Sequence, residues 1–205
     1  MRARITLLCA SFALNAASFG LADSAHAEGS YFLLETETGI SESAYEGGDP
    51  GIYYGFRSGL TWKPKAAAVR FHLLVGAGLR NSQVLGAQSG RIYAAEQYDL
   101  DLYVSTRVVV PVFGMRLYAE AGVGDRLSFQ SLLRDPALGS LSVSSDQLLL
   151  LTAIGAQLRL TKNISAGLRL EMNPLAADPT LISHVTGRAP TALRMSGMIH
   201  LGLHF

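Results

Sequence analysis

Apolar residues recur at every second position along most of this chain, and past residue 28 no window sustains the i, i+3, i+4, i+7 spacing of an amphipathic helix. In 52–62, Ile52, Tyr54, Phe56, Ser58, Leu60 and Trp62 fall on one face, with Tyr53, Gly55, Arg57, Gly59 and Thr61 on the other. Segments 69–79, 98–110, 115–123, 148–160, 164–172 and 193–205 repeat this period of two, and a weaker first segment occupies 31–38. The pattern predicts an all-β chain of eight strands.

Sorting these segments by parity, with the first taken as 32–38, places 47 positions on the apolar face, and none is Asp, Glu, Lys or Arg. The other 39 positions hold 13 charges: Arg57, Arg70, Arg107, Arg116, Arg159, Arg169 and Arg194 with Glu35, Glu37, Asp99, Asp101, Glu120 and Glu171. Alternation does not say which face is inside, because a soluble lipocalin-like barrel turns its apolar face inward. Three features place the apolar face outward, toward lipid. Eight glycines on the polar face (Gly55, Gly59, Gly76, Gly78, Gly122, Gly155, Gly167, Gly202) make room for large side chains converging in a narrow cylinder. The cations of that face are all Arg, whose planar fork suits buried pairing with carboxylates. Tyr54, Trp62, Phe71, Tyr98 and Phe205 lie near strand ends on the apolar face, where an interfacial girdle belongs.

The connections between segments, 39–51, 63–68, 80–97, 111–114, 124–147, 161–163 and 173–192, run long, short, long, short, long, short, long. A closed meander with an even strand number puts its short turns at one end and its long loops at the other, here expected to face the periplasm and the exterior. Closure follows from the solvent, since an unpaired backbone amide in hydrocarbon costs several kcal/mol.

Composition adds an address and removes a class. Arg2 and Arg4, an apolar stretch over 5–21 and Ala25-His26-Ala27 have the form of a cleavable signal peptide over 1–27, leaving 28–205 as the barrel domain. The only cysteine, Cys9, lies within that signal, so the mature chain is expected to lack thiols and disulfides. With 17 Lys+Arg against 16 Asp+Glu, nucleic-acid binding is not expected.

The last segment, Leu193 to Phe205, ends on Phe with Leu203, Leu201 and Ile199 at alternate preceding positions. Together with the signal, the alternation and the turn pattern, it resembles the small bacterial outer-membrane β-barrels of the outer membrane protein A transmembrane-domain, opacity and adhesion-invasion type. The resemblance implies an eight-stranded antiparallel up-and-down transmembrane β-barrel in the outer membrane. It also implies that Phe205, Leu203, Leu201 and Ile199 form the signal read by the barrel-assembly machinery.

An eight-stranded barrel is just wide enough for side chains to fill it. Arg57, Arg70, Asp99, Asp101, Arg107, Arg116, Glu120, Arg159, Arg169, Glu171 and Arg194 are therefore expected to form an interior ion-pair network that plugs it; a narrow conducting track is the alternative. Some barrels of this size modify lipid A, and acyl hydrolysis needs a Ser activated by a nearby His. Ser183 and His184 are neighbours in the last loop, while Ser196 and His200 are about 13 Å apart along one strand face, too far for contact. Neither pair is expected to be catalytic, and His200 and His204 are expected to fill the turn-end mouth. No cofactor or metal site is expected, and Asp99 and Asp101 are read as salt-bridge partners. Glu42, Glu46 and Asp49 are expected at a solvated loop tip. Leu132, Leu133, Leu138 and Leu141, with Leu175, Leu181, Ile182 and Val185, are candidate docking positions in the third and fourth loops. The expected protein is a monomer in contact with outer-membrane lipid and lipopolysaccharide, acting through its surface loops in adhesion, surface protection or envelope integrity. A lipid A-modifying enzyme and a porin-like channel are the rivals.

Overall fold

The computed structural model describes residues 31–64, 68–88, 91–133, 140–174, 189 and 191–205. The expected signal peptide, Ser183, His184, Leu138 and the apolar residues of the fourth loop lie outside the described residues. Eight strands form a closed antiparallel meander: β1 (Tyr31–Ser41), β2 (Gly51–Trp62), β3 (Arg70–Gln88), β4 (Arg91–Val112), β5 (Met115–Leu133), β6 (Ser140–Arg159), β7 (Ile164–Pro174) and β8 (Leu193–His204). Each strand pairs with its sequence neighbour, and β8 returns to β1 with Leu33 opposite His204 and Ser41 opposite Ser196. Where all eight strands are paired no edge is left, which is the condition for a sheet to sit in hydrocarbon; above that section the β2–β3 ladder ends at Arg80 and the β6–β7 ladder at Thr152 among the described residues.

Four strands are longer than their apolar alternation. β3, β4, β5 and β6 run 19 to 22 residues, against the 9–11 needed to cross a bilayer. The segments 80–97 and 124–147, expected as loops, are largely the upper halves of these hairpins. The cause is solvent. Above the membrane the outer face also meets water, so Asn81, Gln83, Glu96 and Asp125 replace leucines there and the alternation of polarity fades while the pleat continues. At the opposite end, Phe113 and Gly114 close β4 to β5 in a two-residue turn, both with positive φ (47° and 83°), as a twist-matched tight hairpin requires.

The sidedness is sharp. In β8, Arg194, Ser196, Met198, His200, Gly202 and His204 are buried, while Leu193, Gly197, Ile199, Leu201 and Leu203 are exposed. Leu168, Ile154, Leu102, Val75 and Leu117 lie on the outside, and Arg57, Arg80, Arg107, Arg126, Arg169 and Arg194 are fully enclosed. A soluble monomer rarely exposes a continuous apolar patch beyond a few hundred Å², so this belt requires lipid. Aromatic rings border it. At the turn end Trp62 stacks on Phe71 (5.7 Å between centroids) and Phe32 meets Phe205 (6.4 Å). At the loop end stand Tyr54, Tyr98 and Phe129, all exposed. Tyr54 and Trp62 are eight residues apart on β2, roughly 27 Å along the strand, which a tilt brings close to the height of a hydrocarbon core.

Candidate functional site: the charged interior

The parity that faces leucine to lipid brings the charges of seven strands to one axis. Around the middle of the barrel, Glu120 on β5 accepts from Arg57 (2.8 Å), Arg107 (3.0 Å) and Arg169 (3.3 Å), and from the Ser105 hydroxyl at 2.7 Å. Glu35 on β1 takes both terminal nitrogens of Arg107, each at 2.8 Å, and also pairs with Arg57 at 2.8 Å. Glu37 bridges Arg57 and Arg169. Nearer the loop end, Asp101 holds Arg126 through two bonds, 2.7 and 3.0 Å, and Arg80 at 2.8 Å. Asp99 accepts from Arg194, Ser128 and Gln97. Glu171 joins the two levels, pairing with Arg80 above and Arg169 below.

Among the described residues the network therefore comprises six guanidinium groups and six carboxylates, whose formal charges sum to zero. Two members, Arg80 and Arg126, lie in segments that sequence reading assigned to loops. Three expected members are not in it. Arg70 donates to the Tyr31 hydroxyl (2.8 Å), Arg116 lies near Tyr31, Arg70 and Arg159, and Arg159 donates to the main-chain oxygens of Thr161 and Lys162. All three face inward by parity but sit at the turn-end mouth, one or more turns of the pleat below the carboxylates. Parity gives the face of a residue and not its depth. Glu35 and Glu37, on the polar face but not among the expected members, join it, so with Arg80 and Arg126 in place of these three arginines an expected seven arginines against four carboxylates becomes six against six.

Tyrosines fill the space between the pairs, and glycines admit them. Arg80 lies over the Tyr53 ring at 4.6 Å and Arg107 over Tyr118 at 4.3 Å. A Cβ on Gly78 would stand 2.6 Å from Tyr53, and one on Gly76 would stand 2.5 Å from Tyr103. Gly78→Ala is accordingly expected to displace Tyr53 from beneath Arg80 and to cost about 1–3 kcal/mol in urea unfolding of the refolded protein.

The loop end holds a buried aromatic as well. The connection between β1 and β2, expected as a solvated tip, exposes Glu42, Glu46 and Asp49 but buries Ser43, Ala44 and Tyr45. The Tyr45 hydroxyl accepts from Gln130, whose amide also reaches Gln97, and Asp49 bridges to Gln83 on β3. A buried tyrosine thus lies against polar side chains of the loop-end interior.

One nucleophile–base contact exists that sequence separation hid. Ser165 on β7 and His204 on β8 lie 2.8 Å apart, Oγ to Nε2, because antiparallel pairing brings together residues 39 apart in the chain. Ser165 also receives a bond from Gln157 at 2.7 Å, and both members are buried inside the barrel. No carboxylate contacts the other ring nitrogen of His204 among the described residues, and the ring packs edge-on to Tyr31. His200 packs against Tyr118 and Ser196 bonds to Ser41 and Arg80, so the Ser196–His200 pair makes no contact. Asp99 and Asp101 are engaged by arginines, and no group of three or more His, Cys, Asp or Glu residues is arranged to hold a metal among the described residues.

A closed eight-stranded barrel that carries its apolar side chains outside and its charge within is a transmembrane β-barrel of the outer-membrane type. The chain is similar to the crystal structure of Neisserial surface protein A, with 15% sequence identity and a TM-score of 0.51 over 87% of this chain and 99% of that one. It is similar also to a major outer membrane protein from Thermus thermophilus, with 14% identity and a TM-score of 0.58 over 87% of this chain and 100% of that one. At these identities the likeness is one of fold. No protein-family model and no curated protein matches the chain.

Proposed function

We propose that the protein is a monomeric integral outer-membrane barrel whose interior is a structural plug and whose loops do its work at the cell surface, in adhesion, surface protection or envelope integrity. The observation that carries this reading is the complete pairing of six arginines with six carboxylates beneath the buried Tyr45, which uses the charges that an ion pathway would otherwise need. The hairpin extensions support it, since β3 to β6 continue past the apolar belt into a stretch whose outer face is polar. One solved neighbour is named a surface protein and the other a major outer membrane protein, which agrees with a role of this kind. Export through a cleaved signal, insertion by the assembly machinery and contact with lipopolysaccharide belong to the same proposal. Phe205, Leu203, Leu201 and Ile199, the proposed assembly signal, form one exposed row on the lipid face.

Pure protein in planar bilayers is expected to give no stable conductance steps, and reproducible steps would overturn the plugged interior. The enzyme reading has one observation in its favour, the Ser165–His204 contact. Against it stand the burial of both groups away from lipid and the bond that already occupies Ser165. Lipid A from a deletion strain is expected to keep its acyl pattern, whereas a shifted mass profile would establish catalysis.

A further inference from the structure

The neutral network leaves a separate set of cations at the turn end. Arg70, Arg116 and Arg159 face the mouth there, Lys63 and Lys162 stand at the adjoining turns, and no carboxylate side chain contacts any of the three arginines among the described residues. Arg116 lies within electrostatic reach of both Arg70 and Arg159, and His204 lies within reach of all three. Like charges at this spacing repel, and among the described residues the remaining carboxylate side chains, Glu42, Glu46, Asp49, Glu96, Asp125 and Asp146, stand at the loop end. The described part of the barrel is thus polarised along its axis, positive at its turns. Between Lys63, Arg70 and Arg116 a recess of about 120 Å³ opens, walled also by Ala68, Val109 and Pro111. Arg70 donates to the Tyr31 hydroxyl and lies over the Tyr31 ring at 5.7 Å, so its guanidinium is held rather than splayed into solvent.

We propose that the turn-end mouth is a phosphate-binding site, in which Arg70, oriented by Tyr31, acts with Arg116, Arg159 and Lys63 on an anionic phosphate group. Guanidinium forks match phosphate oxygens bidentately, and several converging donors compensate for one another's repulsion once the anion is present. The group is either the headgroup of an anionic phospholipid in the adjoining leaflet or a soluble phosphate compound.

Two arms separate the sources. In the first, inorganic phosphate is titrated calorimetrically into the folded protein in phosphate-free amine-oxide micelles, with sodium chloride at equal ionic strength as the control. In the second, the fluorescence of Trp62, the chain's only tryptophan and the neighbour of Lys63, is quenched in vesicles by brominated phosphatidylglycerol or brominated phosphatidylcholine at equal mole fraction. Saturable phosphate binding in the first arm marks a soluble ligand, and preferential quenching by phosphatidylglycerol in the second marks a headgroup; either supports the site. In the triple variant R70Q/R116Q/R159Q, whose folding is checked by heat-modifiable migration, binding is expected to weaken about tenfold or more and the lipid preference to vanish. Should the triple variant not fold, R159Q alone, at an exposed position, is expected to weaken binding about threefold. Absence of binding in both arms, or binding unchanged in a folded variant, overturns the proposal.

Discussion

Glu120→Gln is expected to lower the unfolding free energy of the refolded barrel by about 3–5 kcal/mol, the usual cost of removing one partner from a buried ion pair. The side chain keeps its size and loses its charge, so three arginines, Arg57, Arg107 and Arg169, converge on an amide that cannot neutralise them. The balance of six against six becomes six against five within an enclosed interior. Arg107→Gln alone is expected to cost a comparable amount, because Glu35 loses its bidentate partner and keeps one arginine, Arg57, with a long bond from Gln157. The double variant restores neutrality and is expected to cost less than the sum of the two, with a coupling of about 1–3 kcal/mol in a urea-unfolding cycle. Additive losses would mean that the two groups do not share one network.

Leu168→Arg carries the second large effect. Leu168 lies on the outer face of β7 between Ala156 and Ile199, halfway along the apolar belt, and is 64% exposed. On a water-facing surface this substitution would change stability by no more than about 0.5 kcal/mol. Near the midplane of a bilayer, an arginine on the lipid face of a barrel costs about 2–4 kcal/mol. Leu193→Arg, at the loop-end limit of the same belt, is expected to cost about 0–1 kcal/mol, and the depth dependence separates lipid from a merely crowded surface.

The strand number, the closed meander and the direction each side chain faces were legible in the sequence, because lipid outside and charge inside impose a two-residue period with no exceptions over the belt. The girdle residues Trp62 and Phe71 and the terminal row to Phe205 followed from the same rule. What escaped it lay where the rule stops. Arg80 and Arg126 belong to strands that continue above the membrane, where Asn81 and Asp125 on the outer face are as polar as the arginines within. A signal was present all the same: Arg80 and Ser82 keep the parity of Arg70 to Gly78, and Arg126, Ser128 and Gln130 keep that of Glu120. Arg70, Arg116 and Arg159 were given the right face and the wrong depth, since register between strands decides which inward residues meet. Tyr45 and the Ser165–His204 contact depend on chain folding and cross-strand pairing that no local period encodes.

Which face meets hydrocarbon decides everything else about this barrel, and nitroxide labels test it most directly. Single cysteines at Leu168, Leu170, Ile199 and Leu201, in a mature chain without Cys9, place spin labels along two neighbouring strands of the belt. In vesicles, frequent collisions with oxygen and few with a water-soluble nickel chelate are expected at all four sites. Frequent collisions with the nickel chelate, or labels immobilised and shielded from both reagents, would show those leucines facing water or a packed core and would contradict the outward orientation.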